Sequence, residues 1–360
     1  MRDFVLDQPG GRVVFGAGSL DAVPGEVRAL GAERVMLVND RHSRTTAETV
    51  ADRLPGRVAA RIGHTATHVP ERLAADAVRL ARESGADLLV CVGGGSATGL
   101  AKAVALSTRL RILAVPTTYA GSEMTPIWGL TGDGRKRTGR DPGVRPVCVV
   151  YDPVLTLGLP PALSAASGMN AMAHLVEAVY APKVSPLTVT AAIEGAGALA
   201  RALPGVVRDP ADLAARDEAL YGAWLAGWVL GTTTTGIHHK VCHVLGGRYA
   251  LPHAATHSAV LPYATAHNRE AAGPSLAPLA RALGAEDAAA GLWDLAVSVG
   301  APTSLAAVGM RERDLDEAAA LVVAERPVNP RAVDVAGVRD LLRAAYAGAR
   351  PSQESNEVTP

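Results

Sequence analysis

Three pairs of polar residues set four apart could do chemistry in this chain: Asn170 with His174, His239 with His243, and His253 with His257. On a helix such a pair shares one face, so each can aim two ligand-type side chains at a common point. Five of the ten histidines fall between His238 and His257, and His174 adds a sixth candidate. Convergent imidazoles suit a divalent ion such as zinc or ferrous iron, or proton transfer near neutral pH. A metal site of this kind usually includes a carboxylate to balance charge, and the first pair carries Asn170 where that acid would stand. Glu177, one turn beyond His174, could supply it or could serve a helix salt bridge.

A second kind of chemistry is written in two loops. Gly93, Gly94, Gly95, Ser96, Ala97, Thr98 and Gly99 follow an apolar run and precede a helical pattern. Glycines let backbone N–H groups approach a phosphate, and a helix N-terminus adds partial positive charge. Ser96 and Thr98 could add hydroxyl donors, with Lys102 one turn into the helix. Thr98 stands where the usual G-x-G-x-x-G fingerprint has its third glycine, so a plain strand-to-helix turn is the competing reading. The loop Pro116–Glu123 offers Thr117, Thr118 and Ser122 after another buried strand. Asp40 closes the run Arg34–Val38; it could bind the ribose hydroxyls, which favours NADH over NADPH, or cap a helix.

The elements that must position these groups divide in two. Residues 1–158 alternate strand and helix patterns: Arg12–Phe15, Arg34–Val38, Asp87–Val92, Arg111–Val115 and Val147–Tyr151 read as strands, Pro70–Ser84 and Gly99–Ser107 as helices. This predicts an α/β dinucleotide-binding domain, a parallel sheet with helices on both faces. Residues 159–349 are rich in Ala and Leu at helical spacing, as over Asp209–Leu230 and Pro278–Val299, and predict an all-helical catalytic domain. Residues 350–360 read as a disordered tail.

Bulk composition narrows the partners. The chain has 360 residues, 48% of them hydrophobic, enough for two cores. A formal net charge of zero argues against nucleic acid or an anionic membrane as partner. No apolar run is long enough to span a bilayer, and the first residues lack the apolar stretch of a secretory signal. Three scattered cysteines suit a reduced, cytoplasmic setting.

Taken together, GGGS (Gly93–Ser96), PTTYAGSE (Pro116–Glu123), GMNAMAH (Gly168–His174), HHKVCH (His238–His243) and PHAATH (Pro252–His257) resemble the iron-containing alcohol dehydrogenase superfamily, from about Arg12 to Ala347. GRKRTGRDP (Gly134–Pro142), HHKVCHVLGG and ERPVNPR (Glu325–Arg331) resemble its maleylacetate reductase branch. The resemblance implies a dehydroquinate synthase-like, iron-type alcohol dehydrogenase architecture with its active site in the inter-domain cleft. Metal-dependent members hold the ion at the positions of Asn170, His174, His239 and His253; the branch shares the Asn and implies no metal. Any ion that did bind would use His174, His239 and His253.

The implied reaction is NADH-dependent reduction of the C=C bond of 2-maleylacetate to 3-oxoadipate, within the catabolism of aromatic compounds. NADPH is the alternative reductant. His239, His243, His253 and His174 would stabilise the charge that develops and deliver the proton, with His243 or His253 as donor. Asn170, Arg140, Lys136, Lys240, His257 and Tyr119 would meet the small dianionic substrate. A homodimer is implied, built through the edge strand Arg12–Phe15. The rival readings are an iron- or zinc-dependent alcohol dehydrogenase, a reductase of a related enedioate or enone, and a catalytically dead dinucleotide-binding protein.

Overall fold

The computed structural model describes residues 11–66, 69–132 and 135–352, the side chains of residues 135 and 136 excepted. The chain forms two compact units. The first runs through Leu159 and takes in Ala211–Leu220; the second has Pro160–Pro210 and the chain from Tyr221 onward.

Eight strands lie in the first unit: β1 Arg12–Phe15, β2 Val35–Asn39, β3 Val58–Ile62, β4 Leu88–Gly93, β5 Arg111–Pro116, β6 Ile127–Gly132, β7 Arg135–Arg140 and β8 Cys148–Tyr151. Its helices are α1 Val23–Ala29, α2 Arg44–Asp52, α3 Glu71–Glu83 and α4 Gly95–Thr108. Six strands make one parallel sheet in the order β1-β8-β5-β4-β2-β3. Strands β2 and β4 are buried along their whole length, as near-continuous apolar runs require of a sheet covered on both faces. Val35, Leu37, Val90 and Val115 pack with Val27 of α1 and Val50 of α2. On the strands' other faces, α4 packs against β4 and β5.

The expected α/β fold is therefore present, with additions that the apolar pattern did not reveal. Strand β3 carries the exposed Arg61, and in the antiparallel β6–β7 hairpin the apolar Ile127, Trp128 and Leu130 are interrupted by glycines and face the cationic β7, so neither shows a plain apolar run. Helix α4 begins at Gly95, four residues before the expected Gly99, because Gly94 takes the N-cap position inside the glycine loop itself.

The second unit holds α5 Pro161–Val179, α6 Pro186–Arg208, most of α7 Leu213–Thr232, α8 Ile237–Tyr249, α9 His253–His267, α10 Arg269–Ala282, α11 Ala288–Ser298, α12 Leu315–Ala324 and α13 Val335–Ala347. Its core joins α8, α9, α12 and α13. Ile237, Val241 and Leu245 form the stripe that α8 contributes, which turns His239 and His243 to the helix's other side.

Three details depart from expectation. The single segment Pro278–Val299 is two helices, broken where Gly284 adopts φ 68° and restarted by the Asp287 carboxylate, which accepts the N–H of Ala290. Residues 211–220 group with the sheet unit, because the fully buried Arg216 donates to Leu159 O at 2.9 Å and to the Tyr119 hydroxyl at 3.3 Å. The expected tail does not start at 350. Arg350 binds Asp294 with two bonds of 2.8 and 2.7 Å, and Ser352 O accepts from Arg269 at 2.9 Å. The rest of that segment, 353–360, lies outside the described residues.

Candidate active site

In the sheet unit, loops at the carboxyl ends of three neighbouring strands meet. Gly93 closes β4 at φ 141°, where a side chain would also come within 2.3 Å of Asp40 Oδ2, so only glycine fits. Thr117 donates its N–H to Gly93 O at 3.2 Å, and the hydroxyls of Ser43 and Thr117 lie 3.2 Å apart. No side chain caps α4, whose first turn opens at Gly94, Gly95 and Ser96 beside the partly exposed Thr117 and Thr118. This arrangement can receive a phosphate. Asp40 accepts the N–H of Ser43 at 2.9 Å and that of Gly94 at 3.1 Å, so it caps the helical turn after β2 and braces the glycine loop together.

Four of the expected contacts from this unit are corrected. Lys102 is fully buried and spends its ammonium on Ser122 O, the Thr125 hydroxyl and Ile127 O at 2.6, 3.0 and 2.8 Å, so it clamps α4 to the following loop rather than meeting a phosphate. Burial pulls this ammonium down to about 7, against the pull of Glu123. Ser122 is engaged by that same lysine. Thr98 is buried with its hydroxyl on the Cys91 thiol, and Tyr119 is fully buried under Arg216. Thr98, Lys102 and Tyr119 point into the sheet unit's core instead of out of the loop, whereas Ser122 stays partly exposed beside that lysine. Arg140 is exposed at the end of β7; Lys136 sits in the same strand, with its side chain outside the described residues.

In the helical unit, six imidazoles gather from α5, α8 and α9. Ring centroids of His174 and His239 are 4.9 Å apart, His239 and His257 5.0 Å, His238 and His257 4.9 Å, His253 and His257 4.4 Å, and His239 and His243 6.1 Å. Glu177 organises them. Its Oε2 lies 2.6 Å from His239 Nδ1 and accepts the N–H of Gly236 at 2.8 Å, while Oε1 accepts that of His238 at 2.7 Å. The carboxylate thus supplies the acceptors that the bare N-terminus of α8 lacks. Gly236 permits this, since a Cβ there would meet Glu177 Oε1 at 3.0 Å.

A chain of contacts leads on: His239 Nε2 to His174 Nδ1 at 2.9 Å, then His174 Nε2 to Asn170 Nδ2 at 3.4 Å. Asn170 Oδ1 is buried with no partner among the described residues, an arrangement that costs roughly 1–3 kcal/mol unless a donor meets it. Burial drives His174, His238 and His257 well below the usual histidine range, helped by the neighbouring rings. These rings are neutral near pH 7. His243 and His253 are exposed.

The structure thus brings His174, His239, His243, His253, His257 and Asn170 together. It changes the role of two expected substrate contacts. His257 is fully buried and bonded to His238 at 3.0 Å, so it supports the other rings. Lys240 points to Glu325, 3.1 Å away, and is paired rather than presented to a dianion. Glu177 and His238 are the residues whose importance the sequence reading understated. The i,i+3 spacing of His174 and Glu177, with a helix starting at an uncapped Gly236, was the available signal.

A divalent ion at His174, His239 and His253 would lack the balancing carboxylate, because the position of that acid is Asn170. His174 and His239 direct facing nitrogens at each other, and Asn170 brings no charge. Among the described residues the one convergent donor group is His238, Cys242 and His257, all buried. The outer nitrogens of its two rings, His238 Nδ1 and His257 Nε2, have no acceptor among the described residues, which is poor support for a ligated imidazole.

Comparison with known proteins covers both units. Residues 10–153 match the profile of "Iron-containing alcohol dehydrogenase", and residues 164–346 that of "Fe-containing alcohol dehydrogenase family, C-terminal". The chain is 47% identical over 349 residues to a maleylacetate reductase of Pseudomonas sp. (strain P51), covering 97% of this chain and 99% of that one. It is similar to the crystal structure of maleylacetate reductase from Agrobacterium tumefaciens, at 47% identity and TM-score 0.95, with 98% of this chain and 100% of that chain covered. A 1,3-propanediol oxidoreductase structure aligns at 26% identity and TM-score 0.88, covering 96% of this chain and 100% of that chain.

Proposed function

Since the chain belongs to the iron-containing alcohol dehydrogenase family, we propose that it is a maleylacetate reductase, which uses NADH to reduce the C=C bond of 2-maleylacetate to 3-oxoadipate. The observation that carries this reading is 47% identity to a protein of that name across nearly the whole of both chains. The site chemistry supports it. Hydride from the nicotinamide adds to the alkene carbon β to the ketone, and the electron pair moves onto the ketone oxygen as an enolate. A proton to the α carbon completes the saturated product. His243 and His253 are the exposed imidazoles of the cluster and are assigned that delivery. The N–H donors of the cluster stabilise the enolate oxygen. Neutral buried rings behind them keep the donors oriented.

The reductant is assigned as NADH because Asp40 places a carboxylate against the glycine loop, where a 2′-phosphate would be repelled. Arg140 is assigned to a substrate carboxylate, a geometry that guanidinium suits. We assign the reaction no resident metal, because the acid that would balance a divalent charge is an amide here. A homodimer through β1, an edge strand of the main sheet, and a cytoplasmic setting complete the proposal; no described helix is long and apolar enough to cross a membrane.

The test is NADH oxidation with 2-maleylacetate, run with and without a chelator, beside metal analysis of the purified protein. Turnover that resists chelation, with substoichiometric metal, is expected. Failure to oxidise NADH with this substrate would refute the reductase reading. Stoichiometric metal and loss of turnover on chelation would instead select the metal-dependent alcohol dehydrogenase.

A further inference from the structure

One ammonium in the sheet unit holds two pieces of chain that the proposed reaction uses. Lys102 lies in α4, whose first turn belongs to the glycine loop, and is fully buried. An ammonium carries three hydrogens and accepts none. Three acceptors face it at short range: Ser122 O at 2.6 Å, Ile127 O at 2.8 Å and the Thr125 hydroxyl at 3.0 Å, with the Ser122 hydroxyl further off at 3.3 Å. Thr125 completes the arrangement. Its hydroxyl donates to Ser122 O at 3.1 Å and accepts the N–H of Ile127 at 3.2 Å. Glu123, buried and accepting from the Tyr151 hydroxyl at 2.8 Å, favours the charged lysine against the cost of burial.

The chain on both sides of this clamp bears on ligand binding. Upstream is the loop with Thr117 and Thr118, tied at its start where Thr117 donates its N–H to Gly93 O at 3.2 Å. Thr118 lies against Gly94, where a Cβ would meet it at 3.0 Å. Downstream, Ile127 opens β6 and stands in register with Arg140 of β7. Pro126 O accepts the N–H of Asp141, next to that arginine, at 3.0 Å. A helix rises about 1.5 Å per residue, so α4 is a stiff spacer between the glycine loop and the clamp.

We propose that Lys102 is a positioning residue for ligand binding: its ammonium sets the threonine loop against the glycine loop for the dinucleotide, and sets β6, with Arg140 beside it, for the substrate carboxylate. The ammonium itself touches neither ligand. A lysine suits the task because its compact head meets three acceptors from one short segment, whereas a guanidinium would need them spread in its own plane. The proposal rests on the reading of the glycine loop as the NADH site and of Arg140 as a substrate contact. It predicts weaker binding with the chemical step retained, because the assigned proton donors belong to α8 and α9.

The test is NADH binding, followed by fluorescence of the reduced nicotinamide, in the full-length wild type, Lys102→Met, Thr125→Val and Thr125→Ser, with steady-state kinetics on 2-maleylacetate alongside. Thr125→Val removes one acceptor and keeps the buried charge bonded to two others, so it serves if Lys102→Met does not fold. Thr125→Ser keeps the hydroxyl. The Kd for NADH is expected to rise at least about tenfold in Lys102→Met and about threefold in Thr125→Val, with Thr125→Ser binding as wild type does. The KM for 2-maleylacetate should rise while kcat stays within about threefold of wild type, the pattern of lost uniform binding. Wild-type NADH affinity in folded Thr125→Val overturns the proposal. So does an equal loss in Thr125→Ser, or a fall in kcat with KM unchanged. A wild-type protein that binds NADH without turning over 2-maleylacetate refutes the reductase reading alone, and the NADH affinities still decide this one. A wild-type protein that binds no NADH overturns both.

Discussion

The carboxylate of Asp40, at the end of β2, accepts the backbone N–H of Gly94 at 3.1 Å, so the side chain that would sort cofactors also holds the phosphate loop. Its other oxygen accepts the N–H of Ser43 at 2.9 Å. Two negative charges about 4 Å apart at an effective dielectric near 20 repel by about 4 kcal/mol, less where water screens them. Asp40→Ser keeps a short acceptor and removes the charge. We expect the ratio of kcat/KM for NADPH over NADH to rise at least about tenfold, roughly 1.4 kcal/mol. An unchanged ratio, measured with both cofactors, would remove Asp40 from cofactor selection.

Asn170→Asp places an anion beside His174 Nε2, now faced by the amide Nδ2 at 3.4 Å. The new carboxylate supplies the charge that a divalent ion requires and calls for a hydrogen on His174 Nε2. Zinc titration by calorimetry should show tighter binding than wild type, and maleylacetate turnover should fall. Faster turnover would show that an anion at this position does not oppose the dianionic substrate.

Exposure separates His243 from the buried rings. As the general acid, it should contribute roughly 10²–10⁴ to kcat. His243→Ala is expected to lose that much with little change in the urea midpoint. An unaltered kcat would move proton delivery to His253, and His253→Ala would then carry the loss.

Lys102→Met tests the clamp between α4 and the Ser122–Ile127 segment. The methionine fills the space but leaves Ser122 O and Ile127 O without their donor, and Glu123 without its cation. Removing one partner of a buried charged set costs about 3–5 kcal/mol. Urea unfolding should report a loss of that order; a loss under about 1 kcal/mol would assign Lys102 a lesser structural part.

Acid should weaken the fold through its buried histidines. Burial, with Arg331 nearby, lowers His267 from 6.5 to about 4. The unfolded chain therefore binds a proton that the folded chain refuses between those values. The stability this group contributes is complete above about 6.5 and is lost as pH falls toward about 4. His174, His238 and His257 shift in the same direction. Urea midpoints should thus decline from pH 7 to pH 5, and His267→Gln should make the decline shallower. A midpoint independent of pH over this range would refute it.

Much of the architecture was legible in the residues alone. Apolar runs such as Asp87–Val92, closed by glycines, could only be strands buried on both faces, and their alternation with amphipathic segments implied a parallel sheet. The i,i+4 pairs named most of the imidazole cluster, because helical periodicity is a local property. So is the glycine demand at Gly93, which a positive φ enforces. What escaped was local too where its signal was weak: in the hairpin β6–β7 the short apolar stretch of Ile127, Trp128 and Leu130 is broken by Gly129 and followed by a strand of cations.

Tertiary structure alone decided which side chains face the site. Thr98, Lys102 and Tyr119 have the chemistry of ligand contacts, yet each points into a core, where burial is worth more than access to solvent. The pairing of Glu177 with His239 joins residues 62 apart, and Lys240 with Glu325 residues 85 apart. Sequence sets the kinds of group available and the short spacings between them. Only packing of distant helices determines which donor meets which acceptor, because hydrogen bonds are settled by a few tenths of an ångström that no local pattern specifies.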